Sequence, residues 1–285
     1  MRRTQVFTLC LCLIMLWMIP HACAIDAEAG EYFYSAEDVA ALADKQQSCP
    51  DCLTLHILPP DNGNTPLDCA DLLIFPHLAC LYVDPAAPLE NTERIGELYS
   101  LQVLHLPGQH LTSADFLSSL PLLTEVSLEN NLLTDLSGLA GLPHLAVADF
   151  RHNAISDISV VATWPELTEL YLGGNRSLSD LSPLAECTGI VSLSVADTGV
   201  QDLSPLASLT ALKSLQIQGN GLTDLSPLGH TSALQWLEAA DNAITDVSPL
   251  QGHLSLWYID LTGNPVENPE TLGALPEIRL EDILW

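Results

Sequence analysis

Basic side chains are scarce: 8 Lys and Arg stand among 285 residues, against 36 Asp and Glu, for a formal charge of −28. Nucleic acid and anionic membrane surfaces need clustered cations to neutralise phosphates, so this balance disfavours both as partners. Charge of either sign is also low. It makes up 15% of the chain, below the roughly 25% of an average domain. With 48% hydrophobic residues the chain can bury a core, which argues against disorder. No apolar stretch reaches the ~20 residues of a membrane-spanning helix; the run over 6–19 has 14. Gly-rich phosphate loops and nucleophile motifs are missing, and the nine histidines include no pair at metal-ligand spacing. His105 and His110 face different surfaces, and His152 near Asp149 reads as a solvated pair. The expectation is a non-enzyme without cofactor or metal centre.

The apolar run over 6–19 comes after Arg2 and Arg3 and precedes Ala22-Cys23-Ala24. That is the three-part pattern of a secretory signal peptide over 1–24, cut after Ala24. A rival reading makes Cys23 the lipidated cysteine of a bacterial lipoprotein, although Pro20 stands where that signal expects Leu. The mature chain is expected to be secreted or periplasmic.

Periodicity dominates the rest of the chain. Leu101, Leu123, Leu145, Leu167, Ile190, Leu212, Leu234 and Leu256 recur every 22 residues, with one step of 23. Each opens one phrase, as in LKSLQIQGNGLTDLSPLGHTSA at Leu212. Its apolar positions are 1, 4, 6, 11, 14 and 17, with Asn at position 9. The opening alternates at period two, so Leu215 and Ile217 point inward while Gln216 faces solvent. The Asn column (Asn131, Asn153, Asn175, Asn220, Asn242, Asn264) comes after each strand, where buried amides can satisfy the bend and bond to one another. Ser-Pro at 182, 204, 226 and 248 fits a helix start, with Ser capping and Pro in the first turn. One unit cannot bury its own apolar edge; stacking eight closes a continuous core.

The result is a parallel α/β solenoid with a strand face and a turn-rich back. Its LTDLSPL phrase resembles the 22-residue leucine-rich repeats of bacterial internalin-type proteins and of phosphatase-regulating repeat proteins. The resemblance implies a right-handed superhelix with a concave parallel sheet, short 3₁₀ or α turns on the convex side, and a macromolecular partner. It runs over 78–275, loosely at 78–95. An extra residue at Arg176 or Ser177 suggests a local bulge, and Thr198 replaces one Asn.

An open solenoid end needs a cap. At 25–77, Ser35 is a helix cap before Glu37, Asp38, Val39, Leu42 and Lys45. Cys49, Cys52, Cys69 and Cys80 read first as two disulfides stapling that cap, with three pairings open. A Cys49–Cys52 redox pair and a four-thiolate zinc site are the alternatives. Cys187 reads as a free, buried, inert thiol. At 276–285, Ile278, Leu280, Ile283 and Trp285 are expected to cover the other end.

Repeats turn columns into stripes. Asp135, Asp157, Asp180, Asp202, Asp224 and Asp246 form an acidic edge, read as local turn acceptors or, less favourably, as a calcium site. The strand face carries Asp149, Arg151, Tyr171, Trp236, Glu238, Trp257, Tyr258 and Asp260. Exposed aromatics on a rigid sheet are good anchors for a protein partner, and Trp236 should touch Tyr258. Asn175-Arg176-Ser177 is formally a glycosylation signal, discounted because Asn175 belongs to the inward column. The expected function is an exported scaffold binding a protein through this face. The alternatives are a phosphatase-like enzyme's regulatory subunit and a cysteine-dependent redox protein.

Overall fold

A computed structural model describes residues 31–46, 52–60 and 65–276. The expected signal peptide, Cys49 and the C-terminal segment with Ile278 to Trp285 lie outside them. Eleven strands form one sheet: β1 (Glu31–Tyr34), β2 (Thr54–Ile57), β4 (Cys80–Val83), β6 (Val103–His105), β7 (Glu125–Ser127), β8 (Val147–Asp149), β9 (Glu169–Tyr171), β10 (Ser192–Ser194), β11 (Ser214–Gln216), β12 (Trp236–Glu238) and β13 (Tyr258–Asp260). Their order follows the chain, and every pairing is parallel. A two-stranded pair, β3 (Leu67–Asp68) and β5 (Leu89–Glu90), lies apart. Short 3₁₀ turns return the chain from one strand to the next. This is the solenoid that the repeat implies. Its sheet begins well before residue 78, because β1 and β2 continue the ladder in register.

The core runs unbroken along the array. Leu101, Leu104, Leu106, Leu117, Leu123 and their counterparts in later coils are buried in one cluster from Ala36 to Leu275. The one α-helix among the described residues, α1 (Ala36–Asp44), stands at the N-terminal end and buries Ala36 and Val39. Ser35 caps it as expected: its Oγ accepts from the Asp38 amide at 3.2 Å, and Asp38 Oδ2 accepts from the Ser35 amide at 3.0 Å.

The Asn column works through the backbone. Asn175 is fully buried. Its Oδ1 accepts from Ile155 N at 2.9 Å, and its Nδ2 donates to Phe150 O at 3.0 Å and Leu172 O at 2.7 Å. Asn131 and Asn242 repeat this pattern. Each amide thus clamps its own bend to the preceding coil, in place of the side-chain contacts between asparagines that stacking suggests. Thr198 keeps part of the role, its Oγ1 sitting 2.9 Å from both Val195 O and Asn220 Oδ1. The extra residue near Arg176 is absorbed in a turn (Leu178 N to Asn175 O, 3.0 Å), and the sheet keeps its register across it.

Turn starts also differ from expectation. Ser182, Ser204, Ser226 and Ser248 are the first turn residues and make no cap themselves. The acceptor is the Asp two residues earlier: Asp180 Oδ1 takes the Ser182 amide at 2.8 Å and Asp180 Oδ2 the Ser182 hydroxyl at 2.9 Å. A carboxylate outcompetes a hydroxyl as acceptor for an exposed amide. These bonds lower the pKa of Asp135, Asp180 and Asp246, through the backbone bond first, and of Asp202, through the Ser204 hydroxyl first. A carboxylate whose pKa is depressed by folding stabilises above its unfolded pKa and loses that contribution as pH falls through the folded value. Burial raises Asp71 and Glu169, which act in the opposite sense, but the four caps outnumber them. The urea midpoint is therefore expected to drop from about pH 4 downward. A midpoint flat to about pH 2.5 would contradict it.

Before each Asn of the column, and before Thr198, sits a left-handed residue, a glycine in three coils and Asn130, His152, Asp197 or Asp241 in the others. His152 precedes Gly174 on the next coil, Asp197 precedes Gly219, and Asp241 precedes Gly263, all with φ between 52° and 79°. A Cβ on Gly219 would run into Asp197 Oδ1. Gly219→Ala combines that clash with left-handed strain and is expected to cost about 1–2 kcal/mol. Asp197→Gly should recover part of the loss, which denaturation of the single and double variants measures; strict additivity would refute the packing account.

Cys49, Cys52, Cys69 and Cys80 do not pair off as the two expected bridges, because Cys69 is free. Cys80 is disulfide-bonded, but Cys69 is a free, buried thiol whose pKa burial pushes up to about 12. Cys52 is buried, its Sγ donating to Thr54 O at 3.7 Å. Cys187 is free as expected but only half-buried; its Sγ lies 3.6 Å from Val161 O and Pro183 O, and burial raises its pKa.

Candidate functional site

Strand register converts the alternation into columns on the sheet face. The middle residue of each late strand is buried (Leu170, Leu215, Leu237, Ile259) and its neighbours face out. Trp236 pairs with Tyr258 and Glu238 with Asp260. The expected contact is present: the Trp236 and Tyr258 rings stack with centroids 3.6 Å apart and planes 9° from parallel. Trp257, just ahead of β13 and 46% exposed, meets Trp236 edge-on at 5.1 Å. Trp236 Nε1 donates to Glu238 Oε1 at 2.9 Å, which fixes the indole against the sheet. Burial and the charges of Asp260 and Glu238 raise the Tyr258 hydroxyl to about 12, so it stays a neutral donor. The five residues Trp236, Glu238, Trp257, Tyr258 and Asp260 form one cluster.

Asp149, Arg151 and Tyr171 form another. Arg151 Nε and Nη2 grip Asp149 at 2.9 and 2.6 Å, and Nη2 also lies 3.3 Å from Glu129. Its guanidinium sits 5.8 Å from the Tyr171 ring centroid. Tyr171 Oη donates to Glu169 at 2.7 Å. Burial first, then the charge of Glu169, raises the tyrosine pKa, while burial raises that of Glu169 itself. The two clusters do not meet. Between them β10 and β11 present small side chains, Ser192, Ser194 and Ser214, with Gln216. Ser192 and Ser194 occupy outward positions yet are buried.

A third group gives no signal in the repeat frame. Phe33, His56, Tyr82 and His105 share one column across β1, β2, β4 and β6. Phe33 stacks on His56 at 4.5 Å, His56 on Tyr82 at 4.8 Å, and Tyr82 meets His105 edge-on at 4.8 Å. Glu31 and Glu125 hold the imidazoles at 2.9 and 2.8 Å. His152 is exposed at its left-handed turn, in none of these groups. Among the described residues no group of His, Cys, Asp and Glu could hold a metal ion, and no helix is long and apolar enough to cross a membrane. Each carboxylate of the Asp column serves its own turn, with Oδ1 2.7–2.8 Å from the Ser amide, and Asp246 Oδ1 also accepts from Asn268 Nδ2 of the next coil at 2.6 Å.

A family model described as the leucine-rich repeat of leucine-rich repeat and WD repeat-containing protein 1 matches residues 87–188. No curated protein matches the sequence. An internalin of Listeria monocytogenes is 26% identical with a TM-score of 0.70, over 79% of this chain and 63% of that one. Internalin C2 of the same organism is 28% identical with a TM-score of 0.57, over 61% and 77%. A leucine-rich repeat protein of Leptospira interrogans, 15% identical with a TM-score of 0.59 over 85% and 80%, is alike in fold. This chain thus spans less than two thirds of the first internalin's length. Repeat frame and sheet topology together show a leucine-rich repeat solenoid, and the chain is similar to bacterial internalins in sequence and fold.

Proposed function

We propose that the protein is an exported scaffold that binds a protein partner through its sheet face. The observation that carries this reading is the Trp236–Tyr258 stack beside the half-exposed Trp257. Rings already held in place lose little entropy on binding and contribute large contact area. The parallel sheet beneath them is continuous, so a partner meets a preformed surface with little ordering to do. The export half of the reading rests on the signal-peptide pattern over 1–24.

The test begins with a partner captured from the native envelope or a host surface and identified. The Trp236→Ala/Tyr258→Ala variant is expected to lose about 100-fold or more in affinity for it. Its urea midpoint should stay near that of the parent, because the rings lie outside the leucine core. Tyr99→Ala, which removes an aromatic 61% exposed away from the strands, should change nothing. Undiminished affinity in the double variant would reject this face.

A further inference from the structure

We infer that the sheet face is built for a basic, extended polypeptide segment with cationic side chains at its two ends and small residues between. This names the chemistry of the partner and rests on the sheet-face reading above. Six carboxylates face out from the central and late strands or the residues just after them: Glu125, Glu129, Asp149, Glu169, Glu238 and Asp260. The one guanidinium among them, Arg151, is already engaged by Asp149 and Glu129. Glu169 is half-buried and bonded by the Tyr171 hydroxyl, and Glu125 is held by His105, so these carboxylates stand close together on the face with one hydrogen-bond partner each.

The aromatic cluster supplies an independent reason for a cation. Indole faces attract ammonium and guanidinium groups, Trp most strongly. Here Trp236 and Trp257 stand next to Glu238 and Asp260, so ring and carboxylate act on one bound charge. Trp236 donates its N–H to Glu238 and stacks one face on Tyr258, so the opposite ring face is what it can offer a cation, beside the half-exposed Trp257. The whole-chain charge of −28 adds long-range attraction for basic partners.

Spacing sets the ligand's length. From β12 back to β8, the middle of the acidic group, is four strand steps, or about 19 Å. An extended segment of about seven residues crosses that distance. Its centre crosses β10 and β11, where Ser192 and Ser194 are themselves buried and the half-buried Ser214 and Gln216 meet it. Cations at its ends reach the tryptophan cluster on one side and Glu125, Asp149 and Glu169 on the other.

The probe is a heptapeptide with arginine at both ends and alternating serine and glycine between, titrated into the full chain while tryptophan fluorescence is read. Its control has glutamate at both ends. The arginine peptide is expected to bind at least about tenfold tighter than the glutamate peptide, and to weaken as salt rises. Glu238→Gln and Trp236→Ala should each weaken it several-fold, with urea midpoints confirming that both variants fold. Equal or undetectable binding of the two peptides overturns the inference. The partner reading has its own outcome. If the captured protein is lost by the Trp236→Ala/Tyr258→Ala variant but the arginine peptide does not compete with it, the face stands and its basic ligand falls. If that variant keeps the captured protein, the face itself falls.

Discussion

Asn175→Ala is expected to destabilise the protein by about 3–5 kcal/mol, because Ile155 N and Phe150 O lose their buried partner together and Leu172 O keeps only the residue-175 amide. Ile155 N, Phe150 O and Leu172 O all meet this one amide, which is fully buried. Alanine replaces none of the bonds, and the gap admits water only by opening the bend. Asn175→Asp tests the geometry further. It keeps an acceptor for Ile155 N but turns a carboxylate oxygen toward two carbonyls, so it should be at least as damaging. Urea denaturation of the two variants measures both effects. A loss under about 1 kcal/mol for alanine would mean that the clamp is decorative. The same substitution at Asn264, which is more exposed, should cost less.

Phe150→Ala is the second large effect, expected at about 3–5 kcal/mol. Phe150 occupies the inward position held by Leu106, Leu128, Leu172 and Leu261 in other coils, and is fully buried. Its ring packs 6.2 Å from that of Trp164, which is 2% exposed and donates Nε1 to Leu139 O at 3.0 Å. Both aromatics are larger than the leucines that their columns hold elsewhere, so they fill one enlarged section of the core. Because Trp164 is fixed by its hydrogen bond, it cannot collapse into the space left by the lost ring. Phe150→Leu keeps most of the volume and restores the residue of the neighbouring coils, so it should cost less than about 1.5 kcal/mol. Calorimetry or urea titration separates the two. Similar losses for alanine and leucine would show that ring volume is not what matters there.

The 22-residue frame made the ladder legible, because apolar spacing fixes which residues face inward in a strand. It also placed Trp236 over Tyr258, since equal positions in adjacent units must pair. Other features were hidden for physical reasons. Ser182 and Asp180 can both accept an amide at a turn start, and only geometry decides that the carboxylate takes it. An amide in a stacked column has two ways to reach its neighbour, and the backbone route won. The early coils begin at residues 31, 54, 80 and 103, so their uneven length concealed β1, β2 and the column of Phe33, His56, Tyr82 and His105. The cysteines failed differently. Even number and an exported context suggested two bridges, but Cys69 points into the apolar interior where a thiol packs as a small hydrophobe.

Because every coil touches only the one before and the one after, the array behaves as a ruler with a fixed gradation. Excising 212–233 as a block would bring Trp236 beside Ser192 and shorten the gap between the tryptophans and the acidic centre by about 4.8 Å. Inserting a copy would lengthen it by the same step. The reach of this face can therefore be altered in whole notches, with the chemistry at either end left as it was.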